Sequence, residues 1–237
     1  PKHVDALVKR WFSEGMSAGT IKNRMNCLRW WAAKVDRRNV VARSNDFYGI
    51  ADRQFVSNSS RAVTLENQHL LAVKDDYVRM SLELQQAFGL RREEAIKFKP
   101  SFADKGDHIV LKDSWTKGGK ARVVPLYTVR QREVLDRAHR LAGTGSLIPS
   151  HKQYVQQLRV YERHTTQAGL SRLHGLRHAY AQWRYQELTG WLSPAAGGPV
   201  SSLLSPQQKQ QDHQARLMVS QELGHSREQI SAVYLGR

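Results

Sequence analysis

The sequence has little cysteine and no long apolar run. Cys27 is the single cysteine in 237 residues, which excludes an internal disulfide and a cysteine-based zinc cluster. Its place on a helical pattern predicts a buried thiol. The longest apolar run is four residues, far short of the ~20 that cross a bilayer, and no signal peptide precedes the body. We therefore expect a soluble, cytoplasmic protein, and the start at Pro1 rather than at methionine predicts further residues upstream.

Acidic residues are outnumbered by basic ones along the whole chain. The 21 Asp and Glu residues stand against 37 Lys and Arg, for a formal net charge of +16 and a pI near 10.3. This imbalance favours a polyanionic partner, with nucleic acid ahead of an anionic membrane surface. Residues 1–61 carry a net +7 and residues 62–237 a net +9, as expected if both parts contact one polyanion.

The N-terminal stretch predicts two amphipathic helices separated near Gly15. Ser17 is a suitable N-cap for the second helix. Another face of this helix carries Lys22, Asn26 and Arg29, a basic ridge that we predict contacts the polyanion; an ordinary solvated face is the alternative. The apolar positions at helical spacing are Val4, Leu7, Val8, Trp11 and Phe12 in the first helix and Ile21, Met25, Leu28, Ala32 and Val35 in the second.

A polar, serine-rich segment divides the chain. Residues 52–61 lack periodicity, which predicts an exposed connection. We accordingly expect a helical domain over residues 1–55, a linker over 56–63 and a larger domain over 64–237, each domain long enough to bury a core.

The larger domain is predicted to be mainly helical with a small antiparallel sheet, an α+β fold. Thr64 and Glu66 mark the start of a mostly helical run that ends before Pro100. Helical spacing returns over residues 128–142 and 151–168.

Two segments of this domain differ from its helices. Residues 108–111 and 122–126 have β-type composition and flank the sequence TKGGK, where Gly118 and Gly119 can supply the positive φ of a hairpin turn. Residues 190–211 combine glycine, proline and serine with a Gln-rich end, which predicts a long mobile excursion.

Four stretches of the larger domain hold side chains suited to phosphodiester transfer. Transfer without a metal requires a nucleophile, an acceptor for its proton, a donor for the leaving oxygen and fixed positive charge. In FGLRREEAIKF, Arg91 and Arg92 stand at a helix entry and can bind phosphate oxygens, while Glu94 can hold Arg91. A surface ion pair is the alternative. Lys117 and Lys120, at the hairpin turn, can donate a proton to an alkoxide or simply solubilise the turn.

Histidines mark the other two stretches. HGLRHAY places His174 about one helical turn before Arg177, so both can address one phosphate. His178 follows His174 by four residues, which is also a zinc-ligand spacing, but the HExxH glutamate and a third ligand are missing. In LGHSREQISAVYL, Tyr234 follows His225 by nine residues. Its phenol becomes a nucleophile only beside a base or a positive field, and a core position is the alternative.

Together and in this order, the four stretches resemble those of the tyrosine recombinases, the phage integrase family. FGLRREEAIKF is similar to the first arginine box and TKGGKARVVPL to the β-hairpin lysine segment. HGLRHAYA resembles the His-x-x-Arg box, and LGHSREQISAVY resembles the terminal box that ends in the nucleophile. The resemblance covers residues 64–237, and the N-terminal helices look like the core-binding domain. Family members usually have a shorter connection than 190–211, and they continue into a tail helix beyond the position of Tyr234.

The resemblance implies a role for each residue. Arg91 and Arg177 would clamp the scissile phosphate, and Lys117 would protonate the departing 5′ oxygen. His174 would act as acid and base on the tyrosine, while His225 would hydrogen-bond a phosphate oxygen. The remaining assignments are supporting roles for Glu94 and His178 and DNA contacts for Lys22, Asn26, Arg29, Arg92, Lys120 and Arg122.

Tyr234 would attack the phosphate, leaving a 3′-phosphotyrosyl linkage and a free 5′ hydroxyl, and religation would need no ATP, metal or other cofactor. The resemblance thus implies a site-specific recombinase of double-stranded DNA from a prokaryote or mobile element, associated with the nucleoid. It would clamp DNA as a homotetramer with two protomers per site, and be a monomer when free. Two alternatives remain: a type IB topoisomerase that relaxes supercoils, and a catalytically inert DNA-binding protein.

Overall fold

The computed structural model describes residues 2–53, 55–225 and 227–237. Pro1, Gln54 and Ser226, which belong to the predicted first domain, connection and terminal box, lie outside the described residues. The chain folds into two compact units, Pro1–Phe55 and Val56–Arg237. Helices predominate in these ranges, which hold one two-stranded antiparallel sheet, so the predicted α+β fold is confirmed. No helix within the three ranges is long and apolar enough to cross a bilayer.

In its described residues the first unit has two α-helices, α1 (Lys2–Ser13) and α2 (Ala18–Lys34), followed by two short 3-10 turns, Arg38–Val40 and Asp46–Tyr48. Ser17 caps α2 as predicted, because its hydroxyl oxygen accepts a hydrogen bond from the backbone N–H of Thr20. The buried core of the unit consists of Val8, Trp11, Ile21, Met25, Ala32, Val41 and Ile50.

Several side chains predicted for this core are exposed instead. Leu7, Phe12 and Val35 lie at the edges of the apolar stripes and keep more than a third of their surface in solvent. Cys27 is also exposed, so the prediction of a buried thiol is wrong. Two residues of helix turn Cys27 about 200° from the buried Met25, which directs the thiol away from the core.

The second unit combines helices with a hairpin. In chain order its helices are α3 (Asn67–Ala72), α4 (Asp76–Phe88), α5 (Arg92–Ile96), α6 (Pro100–Ala103), α7 (Val129–Ala142), α8 (Tyr154–Gln167), α9 (Gly175–Thr189), α10 (Pro206–Glu222) and α11 (Ala232–Leu235). Helix α4 is central, since it packs against α5, α7, α8 and α9. Its side chains Leu82, Leu84 and Phe88 are fully buried, which ties the surrounding helices into one core.

The predicted hairpin is present. Strands β1 (His108–Leu111) and β2 (Arg122–Pro125) pair antiparallel. Gly118 and Gly119 adopt φ values of 89° and 63°, the left-handed region that glycine enters without steric cost. The inward faces of both strands are buried while the turn is exposed, so the hairpin holds Lys117 out from the core.

Element boundaries shift where caps act. The helix predicted from Thr64 begins at Asn67, because Glu66 is its N-cap. The helical run does stop before Pro100, but this proline then opens the short helix α6 as its first residue.

The segment predicted as a long mobile excursion is shorter, and part of it is buried. Ser205 caps α10 and Pro206 occupies its first position, so residues 206–211 are helical and the predicted extent to Gln211 is wrong. Ser193 and Ala195 are buried. The Gln-rich composition concealed a Ser-Pro helix start.

Candidate active site

Arg177 is the buried centre of the candidate site. It lies in the first turn of α9, three residues after His174, and is 1% exposed. Its guanidinium donates hydrogen bonds to the backbone carbonyls of Gly89 and Leu223, and its Nε donates to the hydroxyl of Tyr234 over 3.2 Å. Burial lowers the pKa of Arg177 to about 10, so it remains a cation at neutral pH. The three bonds compensate the burial of that charge.

Two glycines allow the close approach of the elements around this arginine. Gly89 ends α4 with φ 60°, and a Cβ there would lie 2.6 Å from Cδ1 of Tyr180. Gly224 has φ 70°, and its Cβ would lie 2.8 Å from Cδ of Arg122. Neither glycine was predicted to have a role, although each stands within two residues of a predicted site residue: Gly89 two before Arg91, Gly224 directly before His225.

Tyr234 lies on the short helix α11 and is only 5% exposed. Nε2 of His225 is 3.5 Å from its hydroxyl oxygen. The ring centroids of His178 and His174 are 4.7 and 6.1 Å from that of the tyrosine. The phenol hydroxyl therefore has one guanidinium and one imidazole within reach.

Glu94 is a fully buried anion beneath the arginines. It accepts hydrogen bonds from the backbone N–H and Nη1 of Arg91 over 2.7 and 2.8 Å, and from both Nη atoms of Arg122. Burial alone would raise the pKa of Glu94. The hydrogen bonds and charge of Arg122, with the charge of Arg177, instead lower this pKa to about 2. Glu94 thus stays ionised and fixes the position of Arg91.

Arg122 occupies this buried layer rather than a surface. Its side chain is 5% exposed and is committed to Glu94, although the sequence predicted a DNA contact. Strand β2 alternates buried and exposed residues, and Arg122 falls on the inward face. A DNA contact through this guanidinium is thus at odds with its position.

The histidines of the site are neutral imidazoles at pH 7. Burial first, and then the charges of Arg177 and Arg91, lower the pKa of His225 to about 4. Burial first, and then electrostatic repulsion of the protonated ring by His174, Arg61 and Arg177, lower the pKa of His178 to about 4. The pKa of His174 is lowered by burial and then by the charges of Arg177 and Arg91. Within the described ranges, no group of three or more His, Cys, Asp or Glu side chains is arranged to hold a metal ion.

Three predicted site residues lie on the surface of the second unit. Lys117 and Lys120 are exposed at the hairpin turn, and no contact between them and the Tyr234 cluster exists among the described residues. Arg92 is about half exposed and donates to Glu162 over 3.0 Å. The structure therefore brings together Arg91, His174, Arg177, His225 and Tyr234, but not the lysines.

The predicted basic ridge of the first unit makes contacts inside that unit. Nζ of Lys22 lies 2.6 Å from a carboxylate oxygen of Asp52. Arg29 donates through Nε to the carbonyl of Ala42 over 2.9 Å and lies within 3.5 Å of the Asn26 amide oxygen. Both cations hold the segment that follows α2, while Asn26 remains exposed.

Two family models match the chain. The model described as Integrase matches residues 52–183, which is more than half of the chain, and the model described as Phage integrase, N-terminal, matches residues 1–41. No significant match was found among curated proteins.

Several solved structures share the fold. A lambda integrase dimer bound to a COC′ core site matches with a TM-score of 0.64 and 18% identity, over 100% of this chain and 65% of that one. The XerH site-specific recombinase bound to palindromic difH substrate matches with a TM-score of 0.55 and 18% identity, over 98% of this chain and 66% of that one. The Tn1549 transposon integrase in complex with circular intermediate DNA matches with a TM-score of 0.54 and 14% identity, over 98% of this chain and 80% of that one. This chain thus spans about two thirds of the first two. By its family matches and its fold, the chain belongs to the phage integrase family, the tyrosine recombinases.

Proposed function

We propose that this protein is a site-specific DNA recombinase that cleaves and rejoins DNA strands through a 3′-phosphotyrosyl intermediate. The observation that carries the proposal is the convergence on one phenol: Arg177 donates to the hydroxyl of Tyr234, and Nε2 of His225 lies 3.5 Å from it. A buried tyrosine surrounded by cations and neutral imidazoles is a poor core residue and a good nucleophile site.

The nucleophilic step uses these groups in sequence. The phenolic oxygen of Tyr234 forms a bond to phosphorus, and the bond from phosphorus to the 5′ oxygen breaks. The phenol proton passes to a neutral imidazole. The resemblance assigns this proton to His174, whereas His225 is the imidazole within reach of the phenolic oxygen in the DNA-free protein. His225 would then turn to a phosphate oxygen once DNA is bound.

Fixed positive charge supports the transition state. A guanidinium has five N–H donors, and Arg177 uses three in the contacts described, which leaves donors for phosphate oxygens. Arg91, held by Glu94, supplies the second cation. Preorganised charges in a poorly solvated site stabilise developing negative charge without reorganisation.

The leaving oxygen requires a proton donor. Lys117 is the proposed donor, and its exposed place at the hairpin turn lets it approach the phosphate when DNA binds. The proton transfers then balance, because the phenol loses one proton and the 5′ oxygen gains one. The reverse steps rejoin the strand. No cofactor takes part in this scheme.

DNA binding would involve both units. The net charge of +16 is shared by them, the first unit would act as a core-binding domain, and the exposed cations Arg92 and Lys120 would contact phosphates. Assembly as a homotetramer, two protomers per site, is supported by solved lambda integrase assemblies described as a dimer on a core site and a tetramer on a Holliday junction.

A nicked suicide duplex carrying the cognate site tests the proposal. After cleavage the short fragment that carries the free 5′ hydroxyl dissociates at the nick, so the strand cannot be rejoined. The covalent adduct therefore accumulates and is resolved on a denaturing gel. We expect adduct with wild-type protein in the presence of EDTA and none with Tyr234→Phe. An adduct that needs Mg²⁺ would overturn the mechanism.

Companion assays separate the alternatives. Relaxation of a supercoiled plasmid without recombination between two sites would favour a topoisomerase. Duplex binding that is identical in wild type and Tyr234→Phe, with no adduct in either, would identify an inert DNA-binding protein.

A further inference from the structure

The predicted linker packs against the segment that carries Tyr234. The side chain of Asn58 makes two hydrogen bonds to the backbone of Arg237: its Nδ2 donates to the carbonyl over 2.8 Å, and its Oδ1 accepts from the N–H over 2.9 Å. Arg237 lies three residues beyond the tyrosine. We call residues 58–63 the strap, because they cross between distant parts of the second unit.

A second contact reaches the tyrosine itself. The hydroxyl of Ser60 lies 3.0 Å from Oε1 of Gln182 and donates to it. Nε2 of the same Gln182 donates to the backbone carbonyl of Tyr234 over 3.1 Å. One side chain therefore links the strap to the main chain of the proposed nucleophile.

The far end of the strap contacts the helix that bears the other site residues. The backbone N–H of Val63 donates to the carbonyl of Gly175 over 3.0 Å. Gly175 is the first residue of α9 and directly follows His174, and a Cβ there would lie 2.5 Å from Cγ2 of Val63. The strap is thus hydrogen-bonded to two of the chain segments that form the site, the start of α9 and the segment of Tyr234.

The segment around Tyr234 depends on such contacts. Helix α11 is four residues long, and one turn of helix is not stable by itself. Gly236 follows it with φ 76°, and its carbonyl accepts from Nη1 of Arg216 over 2.9 Å. A Cβ at Gly236 would lie 2.5 Å from Oδ1 of Asn58, so the strap approaches as closely as glycine allows.

We propose that Asn58 and Ser60 are positioning residues for Tyr234: the strap holds the nucleophile's main chain against α9 and so places its hydroxyl beside Arg177. This inference rests on the proposed function. Both strap side chains are exposed, so their contribution to the core is small and their effect is expected on cleavage rather than on folding.

Single-turnover cleavage of the nicked suicide duplex measures this effect. Asn58→Ala removes both hydrogen bonds to Arg237 and is expected to slow adduct formation roughly tenfold, which corresponds to about 1.4 kcal/mol in the activation free energy. The double variant with Ser60→Ala should be slower still. Asn58→Asp keeps the acceptor and loses the donor, so its rate should fall between. Duplex affinity and unfolding temperature should stay at the wild-type values in each variant.

Ser57→Ala is the matched control. The hydroxyl of Ser57 accepts from the backbone N–H of Ser59, just as that of Ser60 accepts from Ala62, but it makes no described contact with the tyrosine segment. This variant should cleave at the wild-type rate.

A second substrate locates the defect in the reaction. A 5′-bridging phosphorothiolate has a leaving thiolate that needs no proton donor, since a thiol has a pKa near ~8.5. It should restore cleavage by Lys117→Ala but not by Asn58→Ala. The inference would be overturned if the phosphorothiolate restored cleavage by Asn58→Ala, or if this variant cleaved the ordinary duplex at the wild-type rate. It would also be overturned if the loss of rate in this variant were matched by a loss of duplex affinity or of stability. If wild-type protein itself forms no adduct, the proposed function fails first.

Discussion

Nε of Arg177 donates a hydrogen bond to the hydroxyl of Tyr234 over 3.2 Å. In the DNA-free protein the phenol is therefore held by the same guanidinium that is proposed to bind the scissile phosphate. The other donors of Arg177 bind the backbone carbonyls of Gly89 and Leu223. This one buried cation therefore contributes both to the stability of the fold and to the position of the phenol.

Replacing Arg177 by lysine should damage both properties. An ammonium cannot reproduce the planar set of donors, so two carbonyls and the phenol lose partners. We expect the free energy of unfolding to fall by about 2–4 kcal/mol and the rate of adduct formation to fall by ~10²–10³. Urea denaturation and suicide-substrate cleavage measure the two effects.

Arg92→Lys is the control for this change, because Arg92 is half exposed and pairs with Glu162 on the surface. It should keep near wild-type stability and cleavage. Equal losses in the two variants would show that Arg177 has no special role.

Glu94 should give the unfolding free energy a distinct acid dependence. Its pKa is about 2 in the folded protein and near the ordinary 4.5 when unfolded. Between these values the unfolded chain binds the extra proton, so stability is present above about pH 5 and is lost as pH falls towards 2. The loss is on the order of 3 kcal/mol.

Glu94→Gln removes this titration and should flatten the pH dependence of the unfolding free energy, measured by urea denaturation, by about 2 kcal/mol between pH 6 and pH 3. At pH 7 it should also destabilise the fold, because Arg91 and Arg122 lose their anion. An unchanged acid dependence would assign the effect to other carboxylates, such as Asp104, whose pKa is also lowered, first by its hydrogen bond with Arg132.

Local patterns predicted much of this site, because the chemistry of each stretch is visible in its own residues. The contact between Arg91 and Glu94 is present, and the glycines of TKGGK do supply the turn. Sequence patterns did not show which face of a strand a side chain occupies. Arg122 lies in a basic stretch and was predicted to contact DNA, yet strand β2 directs it inward against Glu94.

Contacts between distant segments were also invisible. Nothing in the linker composition indicates that Asn58 meets Arg237, 179 positions away. Likewise, the serine and proline that start α10 stand in a Gln-rich run whose composition favours a loop. Composition reports exposure on average, whereas caps and tertiary bonds act through single side chains.

Gly89→Ala should cost more stability than a left-handed glycine usually does. The φ of 60° alone costs about 1 kcal/mol for alanine, and the new Cβ would also lie 2.6 Å from the buried ring of Tyr180. We expect at least ~3 kcal/mol in total by urea denaturation.

Gly118→Ala provides the comparison, since Gly118 has φ 89° but no atom within 4 Å of an added Cβ. It should show the backbone cost alone. If the two variants are equally stable, the packing of Gly89 against Tyr180 is not a constraint.

The neighbouring arginines should set the titration of His225. Burial, then Arg177 and Arg91, lower its pKa to about 4, so the imidazole stays neutral until the solution is well below pH 6. Arg91→Gln removes one cation, and we expect the pKa of His225 in the DNA-free protein to rise. Histidine signals in an NMR titration report this directly. Arg92→Gln removes an exposed cation that pairs with Glu162 and should leave the curve unchanged. A shift of equal size there would point to a general loss of net charge.

Affinity for the cognate duplex should fall steeply with salt. If six to ten phosphates are neutralised, the association constant should drop by ~10³–10⁵ between 50 and 200 mM salt. Lys120→Ala and Arg92→Ala each remove an exposed cation and should reduce the slope of log K against log salt by about 1. Lys120→Arg keeps the charge and should keep the slope. A wild-type slope in both alanine variants would place the DNA path elsewhere on the second unit, away from the hairpin turn and the start of α5.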